Sequence, residues 1–148
     1  MDVSASIASP EFLDEVVSVG QLLTARDVID LLSVEWRNCV MGAWFSLLVD
    51  DVDVNAAVLE ALRTSGGRFT LPPLAVAAVT LTGEQAVPPL QEYQSQDVEF
   101  DHGACGFAGA ALEYLKVESS LCEVEENDRG EFIQLMQVAK WIRSQRLH

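Results

Sequence analysis

Apolar residues recur at three- and four-residue spacings through most of the chain, and this pattern divides it into helices. In EWRNCVMGAWFSLL (35–48), Trp36, Val40, Ala43, Trp44, Leu47 and Leu48 line one face. Met41, Phe45 and Val49 widen that face into a helix buried on most sides. Ser33 is its candidate cap, and Asp50 and Asp51 mark its end, because acids disfavour the negative end of a helix dipole. In DVNAAVLEALRTSGG (53–67), Val54, Ala57, Val58, Ala61 and Leu62 form a second stripe, with Asp53 as cap and Gly66–Gly67 as stop. SPEFLDEVVSVGQLL (9–23) predicts a helix capped by Ser9 with Pro10 at its first position, and TARDVIDLL (24–32) a short one capped by Thr24. Phe107, Ala108, Ala111, Leu112 and Leu115 give a stripe within 97–116, with Asp101 as cap and Gly103, Gly106 and Gly109 allowing close approach of another helix. VESSLCEVEEND (117–128) reads as an acidic loop. The last helix, 129–148, shows Phe132, Leu135, Met136, Ala139 and Ile142 on one face and Asp128 as cap. Its Lys140, Arg143 and Arg146 suit its own negative end.

Two Pro-Pro-Leu stretches, sixteen residues apart, interrupt this pattern. PPLAVAAVTLTG (72–83) is apolar almost throughout, so periodicity alone does not separate a helix from a buried strand. Proline lacks an N–H and has a fixed φ, which suits the first helical turn and no later one. Pro72 or Pro73 therefore starts a helix, and Gly83 ends it. A helix running unbroken from Glu84 through Pro88 and Pro89 would lose roughly 3 kcal/mol per proline. A start near Pro88, with the boundary at Val87, avoids most of that loss. If 84–87 is helical as well, the second pair marks a kink instead. No strand pair or hairpin signal is evident, so the expected fold is all-α.

The helices also alternate in kind. CVMGAWFSLL (39–48), LAVAAVTLTG (74–83) and GFAGAALEYL (106–115) are rich in small and apolar residues and start 35 and 32 residues apart. AAVLEALRTS (56–65) and QAVPPLQEYQ (85–94) are amphipathic and start 29 residues apart. Each pair would form one antiparallel hairpin stacked on the next. LTGEQAVPPLQEYQSQD (81–97) resembles the short bacterial HEAT-like repeats, with a Gly-acid turn leading into Ala-Val-Pro and a second helix. The resemblance extends more weakly over about 36–115. It implies one domain, 1–148, of about seven helices in stacked antiparallel hairpins, a fold that binds along a face. The stretch ALRTSGGRFTLPPLAVAAVTLTGEQAVPPLQEYQSQD (61–97) is also similar to bacterial proteins that include immunity partners of secreted toxins. No functional residue carries over from that similarity. An irregular small helical bundle is the plainer alternative.

Composition adds mainly charge. The chain has 148 residues, 49% hydrophobic, enough for one core. Its 23 acids and nine bases leave a net charge of −14. Residues 92–131 hold eleven of those acids against Lys116 and Arg129. That sign disfavours nucleic acid and anionic membrane as partners. The acids form either a solvated face that aids solubility or a docking surface for a basic protein. The three cysteines lack metal-like spacing, and no signal peptide is evident, so a reduced, cytoplasmic setting is expected.

Motifs for chemistry are sparse. His102 lies three residues from Cys105, but a zinc site needs four ligands and nothing nearby supplies the rest. Cys39 and Cys122 read as core thiols. DVDVN (51–55) begins like a calcium loop but continues with Ala56 where glycine is required and Leu62 where glutamate is required. TSGGRF (64–69) lacks the lysine of a phosphate-binding loop. The expectation is therefore a protein without catalytic residues, cofactor or metal. Trp36, Trp44 and Trp141 read as core, and Tyr93 and Phe100 as interface aromatics. The expected partner is a basic protein, most specifically a secreted toxin such as a nuclease. The chain would meet it through Glu92, Tyr93, Asp97, Glu99, Phe100, Asp101, Glu123, Glu125, Glu126 and Asp128. The alternatives are a regulatory or scaffold protein, homodimeric or not, that works through an apolar groove, and an enzyme whose site the sequence does not display.

Overall fold

A computed structural model of the chain describes residues 9–64, 69–100, 104–118 and 121–146, with the side chains of 98–100 outside the description. Among the described residues there are eight α-helices and one 3-10 helix, and no strand. The α-helices are α1 (Pro10–Gly20), α2 (Ala25–Leu32), α3 (Trp36–Ser46), α4 (Val52–Thr64), α5 (Leu71–Thr82), α6 (Val87–Phe100), α7 (Cys105–Tyr114) and α8 (Glu126–Ser144). The 3-10 helix, Gly83–Ala86, joins α5 to α6.

Short connections fold consecutive helices back on one another. α2 packs on α3, α4 on α5 and α6 on α7. α2, α4 and α6 are neighbours in one layer, and α3, α5 and α7 in a second. The three apolar segments thus share a layer, but each amphipathic helix pairs with the apolar helix that follows it, α4 with α5 and α6 with α7, which corrects the expected pairing with the apolar helix before it. α1 leans on α3, and α8 crosses α5 and α7, covering the second layer.

Several local signals act as expected. Ser9 Oγ accepts from Phe12 N at 3.3 Å, and Thr24 and Asp27 exchange backbone-to-side-chain hydrogen bonds at 2.9 and 3.1 Å. Both proline pairs lie in the first turns of their helices, where N–H groups lack intrahelical partners. Gly83 ends α5 at φ 61°, a conformation open to glycine without strain. The stretch before the second pair is the 3-10 turn, so Pro88 and Pro89 mark a start and not a kink.

Other boundaries differ from expectation, each because a neighbour in space or a nearby residue supplies a better partner. Ser33 closes α2, its Oγ donating to Asp30 O, and Glu35 precedes α3 without a side-chain cap. Asp51 caps α4, its carboxylate accepting from Asp53 N at 2.8 Å and Val54 N at 3.2 Å, which places Asp53 in the first turn. Asp97–Phe100 complete α6. The predicted stop Gly66–Gly67 and cap Asp101 lie outside the described residues. α8 starts at Glu126, and Asp128 belongs to its first turn. Trp44 is fully buried, but Trp36 and Trp141 are 47% and 40% exposed, so two of the three tryptophans are not core.

The last turn of α8 fastens the end of α3. Arg143 donates to Leu47 O and Val49 O, both at 3.0 Å, and to the Asp50 carboxylate. These groups follow α3, where carbonyls lack helical partners. Arg146 donates to Asp50 at 3.1 Å and to Arg143 O at 3.1 Å. Arg143 therefore serves another helix, and Arg146 serves both. Partial burial raises the Asp50 pKa, but Arg143 and Arg146 together outweigh that effect and hold it below its ordinary value.

Arg143→Ala should lower the unfolding free energy by about 2 kcal/mol, since it strands carbonyls that held charged donors; urea denaturation measures it. A carboxylate with a depressed folded pKa contributes stability above its unfolded pKa and loses it as pH falls through the folded value. Asp50→Asn should therefore be less stable than the parent at neutral pH, and the two should converge on acidification below the folded pKa, as read by urea midpoints across pH.

Candidate functional site

The acids of the second half are held on a frame built by α6, α7 and the start of α8. Lys116, with φ 67°, turns the chain out of α7. Val117 N donates to Leu112 O and Lys116 N to Glu113 O, both at 2.9 Å, which is a Schellman closure with lysine where glycine is usual. The left-handed conformation costs a lysine about 1 kcal/mol. Beyond it the chain returns along α7 as a strap, residues 121–125.

Cys105 and Cys122 are joined by a disulfide, with Cα atoms 6.0 Å apart and a sequence separation of 17. This corrects the expectation of two unpaired thiols and removes the cysteine argument for a reduced setting. Only folding brings the two together, since neither the spacing nor the residue count signals the pair. A bridge of this span contributes about 3 kcal/mol by restricting the unfolded chain, more than the Lys116 conformation costs. Cys39 stays a free, buried thiol, its pKa raised by desolvation.

The strap lies directly on the glycines of α7. A Cβ at Gly109 would stand 2.5 Å from Val124 Cγ2, and one at Gly106 would stand 2.3 Å from Asp128 Oδ2 and 3.2 Å from Glu123 O. Gly106 thus admits the first turn of α8, as a helix-approach glycine should, but Gly109 admits the non-helical strap, and Gly103 lies outside the described residues.

Beneath the strap lies a buried polar cluster on α6. Asp97, 4% exposed, accepts from Ala104 N at 3.3 Å, Cys105 N at 3.0 Å and Tyr93 Oη at 3.4 Å. It caps α7 from the neighbouring helix. Gln94 Nε2 donates to Cys105 O at 3.3 Å and lies 3.4 Å from Cys122 Sγ. Tyr93 is 0% exposed. Asp97 and Tyr93 therefore cannot meet a partner, which corrects both assignments: the short spacing from Asp97 to the N-terminus of α7 makes the carboxylate a cap, and the phenol follows it inward.

The other predicted residues divide. Glu92 is exposed but pairs with Arg63 at 3.1 Å, tying α6 to α4. Asp128 is half-buried and accepts from Glu125 N at 3.0 Å. Glu123, Glu125 and Glu126 are exposed on the strap and at the start of α8, and Glu118 is exposed nearby. Arg129 grips Glu113 through two hydrogen bonds, at 2.9 and 3.1 Å, which hold the Glu113 pKa down and raise that of Arg129. The side chains of Glu99 and Phe100, and all of Asp101 and His102, lie outside the description. Among the described residues, no group of three or more His, Cys, Asp or Glu could hold a metal ion.

A second feature lies between the first two hairpins. Ile29, Leu32, Val34, Trp36, Cys39 and Ala61 line much of an open groove of about 580 Å³. At its edge the Trp36 and Phe69 rings stand 5.6 Å apart, and the Arg37 guanidinium lies 4.7 Å over Trp36. Both rings are exposed. Trp36 falls on the apolar stripe of α3 and so reads as core, but at the first position of that helix it is 47% exposed.

Comparison with models of protein families, with curated proteins and with solved structures yields no match for this chain. Among the described residues no helix is long and apolar enough to cross a membrane.

Asp97→Ala should reduce stability by about 3 kcal/mol, because it leaves two N–H groups of the α7 start without an acceptor. Asp97→Asn, which keeps one acceptor oxygen, should lose less. Thermal or urea unfolding of the two variants orders them.

Proposed function

We propose that the chain is a protein-binding module of HEAT-like stacked hairpins, and most specifically an acidic immunity protein that docks on a basic bacterial toxin and covers its active site. The observation that carries this reading is the exposed set Glu118, Glu123, Glu125 and Glu126, which runs from the end of α7 along the strap to the start of α8. In a chain of net −14, these acids stand on a frame fixed by the disulfide, the Asp97 cap and the Glu113–Arg129 pair. Such a surface speeds encounter with a basic partner and fixes its orientation. A nuclease, whose substrate is itself a polyanion, fits the required charge. The cytoplasmic location belongs to this proposal.

The groove supports a second reading, a scaffold that works through apolar contact at Trp36 and Phe69. Salt separates the two. Binding through the acids should weaken by about tenfold or more between low and high ionic strength, because exposed charges are screened. Binding through the groove should change little. Glu125 borders the Asp128 cap, so the cleaner reversal is Glu118→Lys, Glu123→Lys and Glu126→Lys together. That variant should lose most of its affinity for a basic probe such as poly-L-lysine in fluorescence anisotropy titrations, while Trp36→Ala keeps it. Full affinity in the triple variant would refute the acidic docking surface.

A further inference from the structure

The strap is secured in an uneven way. Val124 packs over Gly109 and against the core, and the Glu123 carbonyl sits beside Gly106, while Leu121 and Glu123 are exposed. The one covalent tie is Cys105–Cys122. Its two cysteines differ in burial, since Cys105 is buried at the first position of α7 and Cys122 is half-buried on the strap. Around the tie, Glu118, Glu123, Glu125 and Glu126 are exposed, and Arg129 is held by Glu113, with Glu126 at 3.9 Å from it. The remainder of α7 does not depend on the bridge, because Asp97 caps its first turn and its inner face is buried against the core.

We infer that the Cys105–Cys122 bridge is a redox latch that holds the acidic strap on α7, so that a dithiol reductant frees the strap and disperses the docking acids while the helix layers stay folded. A thiolate of the reductant attacks the Sγ of Cys122, the less buried cysteine, and Cys105 leaves as a thiolate that takes up a proton. The second thiol of the reductant then attacks the mixed disulfide. Cys122 is released as a thiol, and the reductant departs as a cyclic disulfide. Two electrons and two protons pass to the protein. The consequence for docking rests on the proposed acidic surface, whereas release of the strap does not.

Hydrogen exchange with mass spectrometry on the full chain, oxidised and after treatment with dithiothreitol, tests the latch. Exchange in 121–125 should quicken by about tenfold on reduction while that of α5 stays the same, the pattern of a local opening. Alkylation of the folded, reduced protein should label Cys105 and Cys122 and spare Cys39. Cys122→Ser should show the fast exchange without reductant and no further response to it. Equal exchange in both states would overturn the latch, and so would acceleration in α5, which would make the bridge a global staple. Poly-L-lysine binding at low salt, measured in parallel, should weaken several-fold on reduction. Faster strap exchange on reduction, in a protein that even when oxidised does not bind poly-L-lysine, would uphold the latch and refute the docking surface alone, so the two failures remain distinct.

Discussion

Helix α5 has no side that can face water between Leu71 and Val79 except at Pro72. Leu71, Leu74, Ala75, Val76, Ala77 and Ala78 are all fully buried, and Val79 nearly so. Burial of each of its large apolar side chains is worth roughly 1.5–3 kcal/mol, so the helix is stable only if enclosed. α3, α4, α7 and α8 enclose it. Its alanines keep the surface low, and neighbours can approach on several sides at once. The two-layer arrangement follows, because a central helix with partners on all sides needs hairpins before and after it and a helix to cover the outside. The proline pair belongs to this constraint too: it sets the start of a segment whose apolar residues would not otherwise distinguish helix from strand.

Charge plays a different part. Arg63–Glu92 joins α4 to α6, Arg129–Glu113 joins α7 to α8, and Arg143 with Arg146 joins α8 to the end of α3 through Asp50. Exposed pairs of this kind contribute about 0–1 kcal/mol each, too little to hold the layers. The core does that. Arg143 is the exception, because it also satisfies two carbonyls from a half-buried position. With so few bases in the chain, the eleven acids of 92–131 face only Lys116 and Arg129, and Arg129 is shared between Glu113 and Glu126. A strongly negative surface therefore arises there.

That surface is built in two depths. Below, Asp97, Gln94 and Tyr93 form a buried cluster that caps α7 and supports the bridge. Above, the strap lies against Gly106 and Gly109 and presents its glutamates outward. Acids that look alike in the sequence thus divide into structural and surface groups. A carboxylate close to unsatisfied N–H groups turns inward to accept from them, and one with only water for a partner stays out.

The amino-acid sequence by itself determined the all-helical class, the alternation of apolar and amphipathic helices, the caps at Ser9 and Thr24, and both proline starts. Each of these rests on interactions within three or four residues, which periodicity and local hydrogen bonding display directly. Only the tertiary structure decided that Cys105 meets Cys122, that Asp97 caps a helix other than its own, that Arg143 closes one 96 residues away from it in sequence, and that Tyr93 is buried while Trp36 is exposed. Those outcomes depend on which helix ends and faces the packing brings together. An isolated helical stripe shows that a face is apolar, but not where the neighbouring layer stops covering it.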